Sequence, residues 1–250
     1  MERIIYYKDE NEEFSGIVRR TKTIDENFKY NKNFLWKIAA AILYRLVAVP
    51  MAFLYTKLKF GLKIENRKIL KKFRKGGYFL YGNHTQVPGD GFIQGLVSHP
   101  KKSCVITNAD TVSLRGTTNF IMMLGAMPLP TTRGGYKNFI NSLKDRCEKG
   151  RSVVIYPEAH IWPYYTGIRK FSSTAFNYPV MTKKPVFSFT AIYKKRKRKP
   201  KMVVKIDGPF FADDGLSVIA AQEKLCDEVY KTMVKRAAES NFEYIKYVKV

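Results

Sequence analysis

Between Phe34 and Phe60 the chain reads FLWKIAAAILYRLVAVPMAFLYTKLKF, its most apolar stretch and the segment that most narrows what it can build. A helix crosses a hydrocarbon core in about 20 residues, so this one is long enough. Its punctuation argues for another seat. Arg45 falls near the middle, where a charge in hydrocarbon is costly, and Pro50 favours a kink or a break into two shorter helices. Lys37, Lys57, Lys59 and Lys63 add positive charge, and Trp36, Tyr44 and Tyr55 are interface-loving aromatics. The pattern predicts a helix pair lying in one leaflet with its apolar side down, rather than a spanning helix. The alternative is a helix packed on the domain's own core.

The segments on either side have a different texture. Residues 1–33 are mixed in charge, with Tyr6, Tyr7, Phe14, Phe28 and Tyr30 among them, and are expected to be an irregular polar lead-in. They lack the short apolar core and small-residue cleavage site of a secretion signal. Residues 34–75 are assigned to the membrane-associated helices and 76–250 to the functional domain. After Gly77, short apolar runs alternate with helical patterns. Tyr78–Tyr81, Cys104–Thr107, Ala126–Leu129 and Val153–Tyr156 are strand candidates. Gly91–Ser98, Thr118–Leu124 and Tyr136–Lys149 are helix candidates; in the last, Tyr136, Phe139, Ile140, Leu143 and Cys147 share one face. This alternation predicts an α/β fold with a mostly parallel central sheet flanked by helices. Val186–Tyr193 and Met202–Asp207 are two further strands, joined by the basic run KKRKRKPK. An amphipathic helix over about Ser217–Ser240 closes the chain, with Ile219, Leu225, Cys226, Val229, Tyr230, Met233 and Ala237 inward.

The net charge is +24, which predicts acidic partners such as nucleic acid, an anionic membrane surface or an acidic carrier protein. Nucleic acid does not account for the apolar segment, and no recognised nucleic-acid motif is visible. Cys104, Cys147 and Cys226 have neither metal spacing nor an even count, and all three lie in apolar surroundings, as small buried hydrophobes do. No phosphate loop, Gly-x-Gly-x-x-Gly or Gly-x-Ser-x-Gly elbow occurs. The histidines are three, His84, His99 and His160, with no metal-ligand motif.

His84 stands out by its place. It follows the strand candidate Tyr78–Tyr81, and open α/β sheets bind ligands beyond the carboxyl ends of their strands. The local text is Gly82-Asn83-His84-Thr85-Gln86-Val87-Pro88-Gly89-Asp90. Pro88-Gly89 forbids a continuous helix and favours a turn that folds Asp90 back toward the imidazole. A carboxylate on one ring nitrogen fixes the tautomer and leaves the other nitrogen free as a base. Asp90 is equally placed to cap the helix beginning near Gly91.

Asn83-His84 with Asp90 downstream resembles the first block of the glycerolipid acyltransferases, the family of glycerol-3-phosphate and lysophosphatidic acid acyltransferases. That block is Asn-His, four residues, Asp; here five residues intervene. Later segments match in order. Gly125–Arg133, GAMPLPTTR, resembles the second block, and Val154-Ile155-Tyr156-Pro157-Glu158 the third, an apolar strand ending in Phe-Pro-Glu-Gly. Phe171–Phe176 resembles the Phe-Lys-x-Gly-Ala-Phe stretch that follows, with Ser172 and Thr174 in place of Lys and Gly. Pro185–Ile192 resembles the proline-led fourth block. Ala159, His160 and Ile161 replace Gly-Thr-Arg after the third block's glutamate.

The resemblance implies direct acyl transfer: His84 takes the proton of an acceptor hydroxyl, Asp90 orients His84, and the hydroxyl attacks the thioester of acyl-carrier protein or coenzyme A. It implies no metal or redox cofactor. Asn83, Arg133, Glu158 and Arg169 become substrate-binding candidates, Arg133 for an acceptor phosphate and Arg169, or alternatively Lys170, in place of the arginine lost from the third block. The expected partners are a lysophospholipid acceptor, a coenzyme A or carrier-protein thioester, and an anionic membrane on whose cytoplasmic face the protein sits as a peripheral or monotopic enzyme. Trp162, Tyr164 and Tyr165 suggest a larger acceptor, or else interface anchoring or packing. A non-catalytic lipid-binding relative is the remaining alternative.

Overall fold

A computed structural model describes residues 3–14, 16, 22–73, 75–86, 89–113, 116–197 and 200–250. In chain order the elements begin with β1 (Arg3–Tyr7), then α1 (Phe34–Ile42) and α2 (Val49–Phe60), joined by a π-helical stretch at Leu43–Ala48. β2 (Lys63–Glu65), β3 (Tyr78–Gly82), α3 (Gly89–Ser98), β4 (Ser103–Thr107), α4 (Thr118–Met123) and β5 (Ala126–Pro128) follow. Then come α5 (Arg133–Glu148), β6 (Ser152–Ile155), α6 (Asn177–Thr182), β7 (Val186–Lys194), β8 (Lys201–Phe210), α7 (Val218–Ala237) and β9 (Ile245–Lys249).

Seven strands form the central sheet in the order β2-β8-β7-β3-β6-β4-β5. The run from β7 to β5 is parallel, β8 is antiparallel to β7, and β2 runs parallel to β8. The predicted α/β architecture is the one observed. Period-2 alternation divides the sheet's side chains between two cores. Phe79, Tyr81, Val153 and Val186 face Phe139 and Leu143 of α5 and Leu225, Val229 and Met233 of α7. Tyr78, Leu80, Val154, Phe187 and Phe189 face Ala52 and Phe60 of α2 and Ile93, Leu96 and Val97 of α3. β3 lies between β7 and β6, so whatever follows Gly82 emerges over the middle of the sheet.

Three expectations about the amino-terminal part change. First, the lead-in, irregular between β1 and α1 among the described residues, is packed into the fold rather than set apart from it. β1 pairs in parallel with β9, Ile24 and Tyr30 are buried in the core, and the Tyr30 hydroxyl donates to the Pro128 carbonyl at 2.8 Å. Their apolar residues show no period because their partners arrive from remote sequence. Second, Phe34–Phe60 is one continuous helix rather than a pair. Pro50 stands just after the π-helical stretch Leu43–Ala48, whose wider turn accommodates a residue without an N–H inside a continuous helix. Third, β2 and the buried Leu62 and Leu70 belong to the sheet and its core, so a boundary at 75/76 falls inside the domain. On α7, Ile219 is exposed and Ala221 takes the inward position instead.

Gly82 is where β3 meets the site. A Cβ there would stand 2.2 Å from the Phe189 ring of β7. Gly82→Ala is expected to push that ring aside and lower stability by about 1–3 kcal/mol, the usual cost of overpacking. Chemical denaturation is the check, and an unchanged midpoint would mean that the ring moves freely.

Candidate active site

His84 leaves β3 at its carboxyl end, and four backbone or buried side-chain contacts set its position. Asn83, immediately before it, is buried. The Asn83 amide donates to the Ala191 carbonyl at 3.0 Å, and the Ala191 N–H donates to Asn83 Oδ1 at 2.8 Å. The His84 N–H donates to Glu158 Oε2 at 3.0 Å, and its carbonyl accepts from the Trp162 N–H at 3.1 Å. The histidine backbone is thus held from β7 on one side and from the loop after β6 on the other.

The ring is held separately. His84 Nδ1 lies 2.7 Å from Asp90 Oδ2, with about 19% of the His84 side chain and 4% of the Asp90 side chain exposed. The same Oδ2 accepts the Gln86 N–H at 2.8 Å, and the Asp90 N–H donates to the Gln86 carbonyl at 3.2 Å. Asp90 lies in the first turn of α3, where the helix's positive end favours a carboxylate. Since a carboxylate only accepts, Nδ1 carries the hydrogen and Nε2 keeps its lone pair. The dyad therefore closes with five intervening residues. Val87 and Pro88, the turn expected to take up the extra one, lie outside the described residues. The hydrogen bonds of Gln86 to Asp90 span that turn.

Tyr156 completes the ring's seating. Its ring stacks on His84 with centroids 4.4 Å apart and planes at 18°, and its hydroxyl donates to the Asp90 carbonyl at 2.8 Å. One side chain thereby touches both members of the dyad. A second buried group supports the loop below: the Tyr193 hydroxyl lies 2.9 Å from Thr85 Oγ1 and accepts from Gln86 Nε2 at 2.6 Å. Sequence reasoning missed both tyrosines. Tyr156 stands where the resembled motif has Phe, and that added hydroxyl was the available signal. Tyr193 lies in an apolar strand and gives none.

Glu158 and Arg169 come together, facing inward. Glu158 Oε1 accepts the Arg169 N–H at 2.9 Å, and the Arg169 guanidinium reaches Glu158 Oε2 at 3.5 Å, the Glu10 carbonyl at 2.9 Å and the His160 carbonyl. Both side chains are buried. Burial pushes the Glu158 carboxyl above its ordinary range, against the opposing pull of Arg169 and of the two backbone N–H donors. Neither residue presents its charge outward, and Asn83 is likewise committed to β7; the three organise the loops around His84. Arg133 is different. It is exposed at the start of α5, at the carboxyl edge of the sheet beside β5, three strands across from β3, or on the order of 14 Å by strand spacing.

In the aromatic cluster beyond Glu158, Trp162 is packing rather than a lining, while Tyr164 and Tyr165 are half-buried. Trp162 is fully buried, stacked on Tyr247 of β9 at 4.9 Å and met edge-on by Tyr7 of β1 at 4.6 Å. It joins the paired terminal strands to the loop that holds His84. In that loop Ala159, at the position of the resembled motif's glycine, has φ 62°, a left-handed conformation that a Cβ disfavours.

An enzyme-like constellation, a histidine oriented by a buried carboxylate at the carboxyl end of a central parallel strand, is therefore assembled. Its class follows from comparison with known proteins. The family model described as Acyltransferase matches residues 61–192, more than half of the 250-residue chain, and the chain belongs to that family. The match begins just before β2, in agreement with the sheet. The fold is similar to that of the 1-acyl-sn-glycerophosphate (LPA) acyltransferase PlsC from Thermotoga maritima, with a TM-score of 0.52, 13% sequence identity, and coverage of 84% of this chain and 98% of that one. No protein of curated function matches the sequence.

Ala159→Gly is expected to relieve the backbone strain and raise stability by about 0.5–1 kcal/mol, after allowance for glycine's larger unfolded-state entropy. A denaturation midpoint that stays put or falls would show that the loop does not strain Ala159.

Proposed function

We propose that the protein transfers a fatty acyl group from a thioester to a hydroxyl of a lysophospholipid-like acceptor, 1-acylglycerol-3-phosphate foremost, as a step of phospholipid biosynthesis. The observation that carries this reading is the 2.7 Å contact of His84 Nδ1 with Asp90, which leaves Nε2 as the base. Nε2 takes the acceptor's hydroxyl proton as the new C–O bond forms to the thioester carbonyl. The C–S bond then breaks, and the proton held on the imidazolium passes to the departing thiolate. Asp90 accepts from Nδ1 throughout and stabilises the imidazolium. The Tyr156 ring keeps it in plane. The donor is acyl-coenzyme A or an acyl-carrier protein, toward which the basic run at 194–201 is an electrostatic guide. Arg133, exposed at the same edge of the sheet, is the residue proposed to receive the acceptor's phosphate through its planar fork. No metal or redox cofactor enters the scheme. The intact dyad argues against a non-catalytic lipid-binding relative.

The membrane seat rests on the helix Phe34–Phe60. It is long and apolar enough to cross a bilayer by length and composition. It lies along the domain, with Ala52 and Phe60 buried against α3 and the sheet, while Phe34, Leu35, Leu46, Met51, Leu54 and Leu58 are exposed. This is the arrangement of a helix lying in one leaflet, and the cytoplasmic face is the proposed side, where anionic lipid meets the chain's positive charge.

His84→Ala is expected to lower acyl transfer from a thioester to 1-acylglycerol-3-phosphate by at least about 100-fold, within the range of a lost general base. Asp90→Asn should lose a comparable factor. Mass spectrometry of the products, with circular dichroism to show an intact fold, makes the measurement. Full turnover in either variant would remove that residue from the mechanism. Leu46→Glu with Leu58→Glu, at positions 71% and 69% exposed, should leave the fold intact and abolish co-sedimentation with phospholipid vesicles. Undiminished sedimentation would place the anchor elsewhere.

A further inference from the structure

Arg45 has no part in the chemistry above, yet it stands in the most apolar helix of the chain. It lies on the π-helical turn Leu43–Ala48, is exposed, and has the exposed Ile42, Leu46 and Val47 around it. Tyr44 on the same turn is buried and fixes where that turn sits: its hydroxyl accepts the N–H of Ser103, the first residue of β4, at 3.3 Å. Lys102, just before β4, donates to the Ala40 carbonyl at 3.4 Å, and its Nζ lies 5.3 Å from the Tyr44 ring centroid. The helix turn carrying Arg45 is thereby docked over the amino end of β4.

Two more cations come to the same place. β4 and β6 are parallel neighbours with Ser103 opposite Ser152. Lys102 and Arg151 therefore occupy equivalent positions on adjacent strands, about one strand spacing of 4.8 Å apart along the backbone. The Arg151 N–H donates to the carbonyl of Arg146, in the last turn of α5, at 3.0 Å. Burial first, then the charges of Arg151 and Arg146, with a lesser part from Arg45, push the Lys102 amine down to about 8. Arg151 is lowered in the same way, by burial, then Arg146, with Arg45 again contributing. The other titratable groups acting on the two are Cys104 and Tyr44. Among the described residues no carboxylate pairs with this cluster.

Four cations gathered without an acid among the described residues, Arg45 and Arg151 exposed, Lys102 half-buried and Arg146 donating to the Tyr30 carbonyl at 3.2 Å, favour an anion from outside. Three guanidinium groups match a phosphate's oxygens best. We propose that Arg45, Lys102 and Arg151, backed by Arg146, bind the headgroup phosphate of an anionic membrane phospholipid. The proposal rests on the reading that Phe34–Phe60 lies in a leaflet, since the anion met at that helix's polar boundary is then a lipid phosphate. The site lies at the amino ends of the strands, opposite the end that carries His84, and so binds a resident lipid and not the acceptor. It also explains an arginine in the middle of the apolar helix: the side chain is there for an ionic partner that the bilayer supplies.

Vesicle binding of the full-length protein tests this. Phosphatidylcholine vesicles with and without phosphatidylglycerol are compared for the wild type, Lys102→Gln/Arg151→Gln, and the charge-matched Lys57→Gln/Lys59→Gln on exposed positions of the same helix. The first pair should weaken binding to phosphatidylglycerol vesicles about tenfold more than the second, the margin of a lost charge-assisted contact, and should leave binding to pure phosphatidylcholine unchanged. Equal losses would overturn the site in favour of diffuse attraction. A wild type that binds neither vesicle would instead overturn the membrane reading. In neutral detergent, short-chain phosphatidylglycerol should raise the melting temperature of the wild type and not that of Arg45→Gln, whose exposed position keeps the fold safe. Inorganic phosphate at the same concentration giving the full rise would reassign the site to free phosphate and overturn the lipid. The same rise in Arg45→Gln would overturn the cluster as its receptor.

Discussion

The Glu158 carboxylate is the point through which the loops at the carboxyl end of the sheet are tied together. One oxygen accepts the N–H of His84 and the other the N–H of Arg169, while the Arg169 guanidinium lies against the same group and reaches on to the Glu10 and His160 carbonyls. A buried charge is costly unless it is paired and hydrogen-bonded; here the two charges pair, both Glu158 oxygens accept and both terminal nitrogens of Arg169 donate, while Arg169 Nε finds no partner among the described residues. Removing either would leave the other stranded, typically at about 3–5 kcal/mol. The histidine loop, the loop after β6 and the backbone at Glu10 are consequently tied to one ion pair.

That tie gives the dyad its precision. The ring needs to be fixed in tautomer, tilt and depth, and a different neighbour handles each. Asp90 sets the tautomer by accepting from Nδ1. Tyr156 sets the tilt by stacking. Asn83 sets the depth by clamping the end of β3 to Ala191 of β7. The contacts also share members: Tyr156 is tied to Asp90, and Phe189 of β7 packs edge-on against Tyr156 at 5.7 Å. A displacement in the sheet is passed to the ring through two aromatic contacts, which is why the missing Cβ of Gly82 matters.

The helix Phe34–Phe60 serves both ends of the domain. Its carboxyl end packs near the start of α3, with Phe60 close to Gly89, the residue before Asp90. Its middle docks over the amino ends of β4 and β6. A helix seated in a leaflet would thus bring the dyad to the lipid surface at one end and the Arg45 cluster to headgroup phosphates at the other. The second core, on the opposite face of the sheet, is free of this duty and is closed by α5 and α7.

Much of this was legible in the chain. Every strand from β3 to β8 was legible as a short apolar run, because strands covered on both faces bury nearly every residue, and α5 and α7 were legible from their helical period, because a half-buried helix repeats its apolar residues at its own pitch. His84 and Asp90 were legible as a pair from the turn between them, and the family from the order of its blocks. What the chain alone does not carry are pairings between residues remote in sequence. β1 with β9, β2 with β8, Glu158 with His84, and Tyr193 with Gln86 are each separated by 74 residues or more. No local period marks them, since each partner's environment is created by the other. The same reason turned Trp162 from a candidate acceptor wall into the packing of the terminal strands, and drew Glu158 and Arg169 inward together. Composition and pattern decide which residues go inside; only the folded chain decides which buried charge meets which.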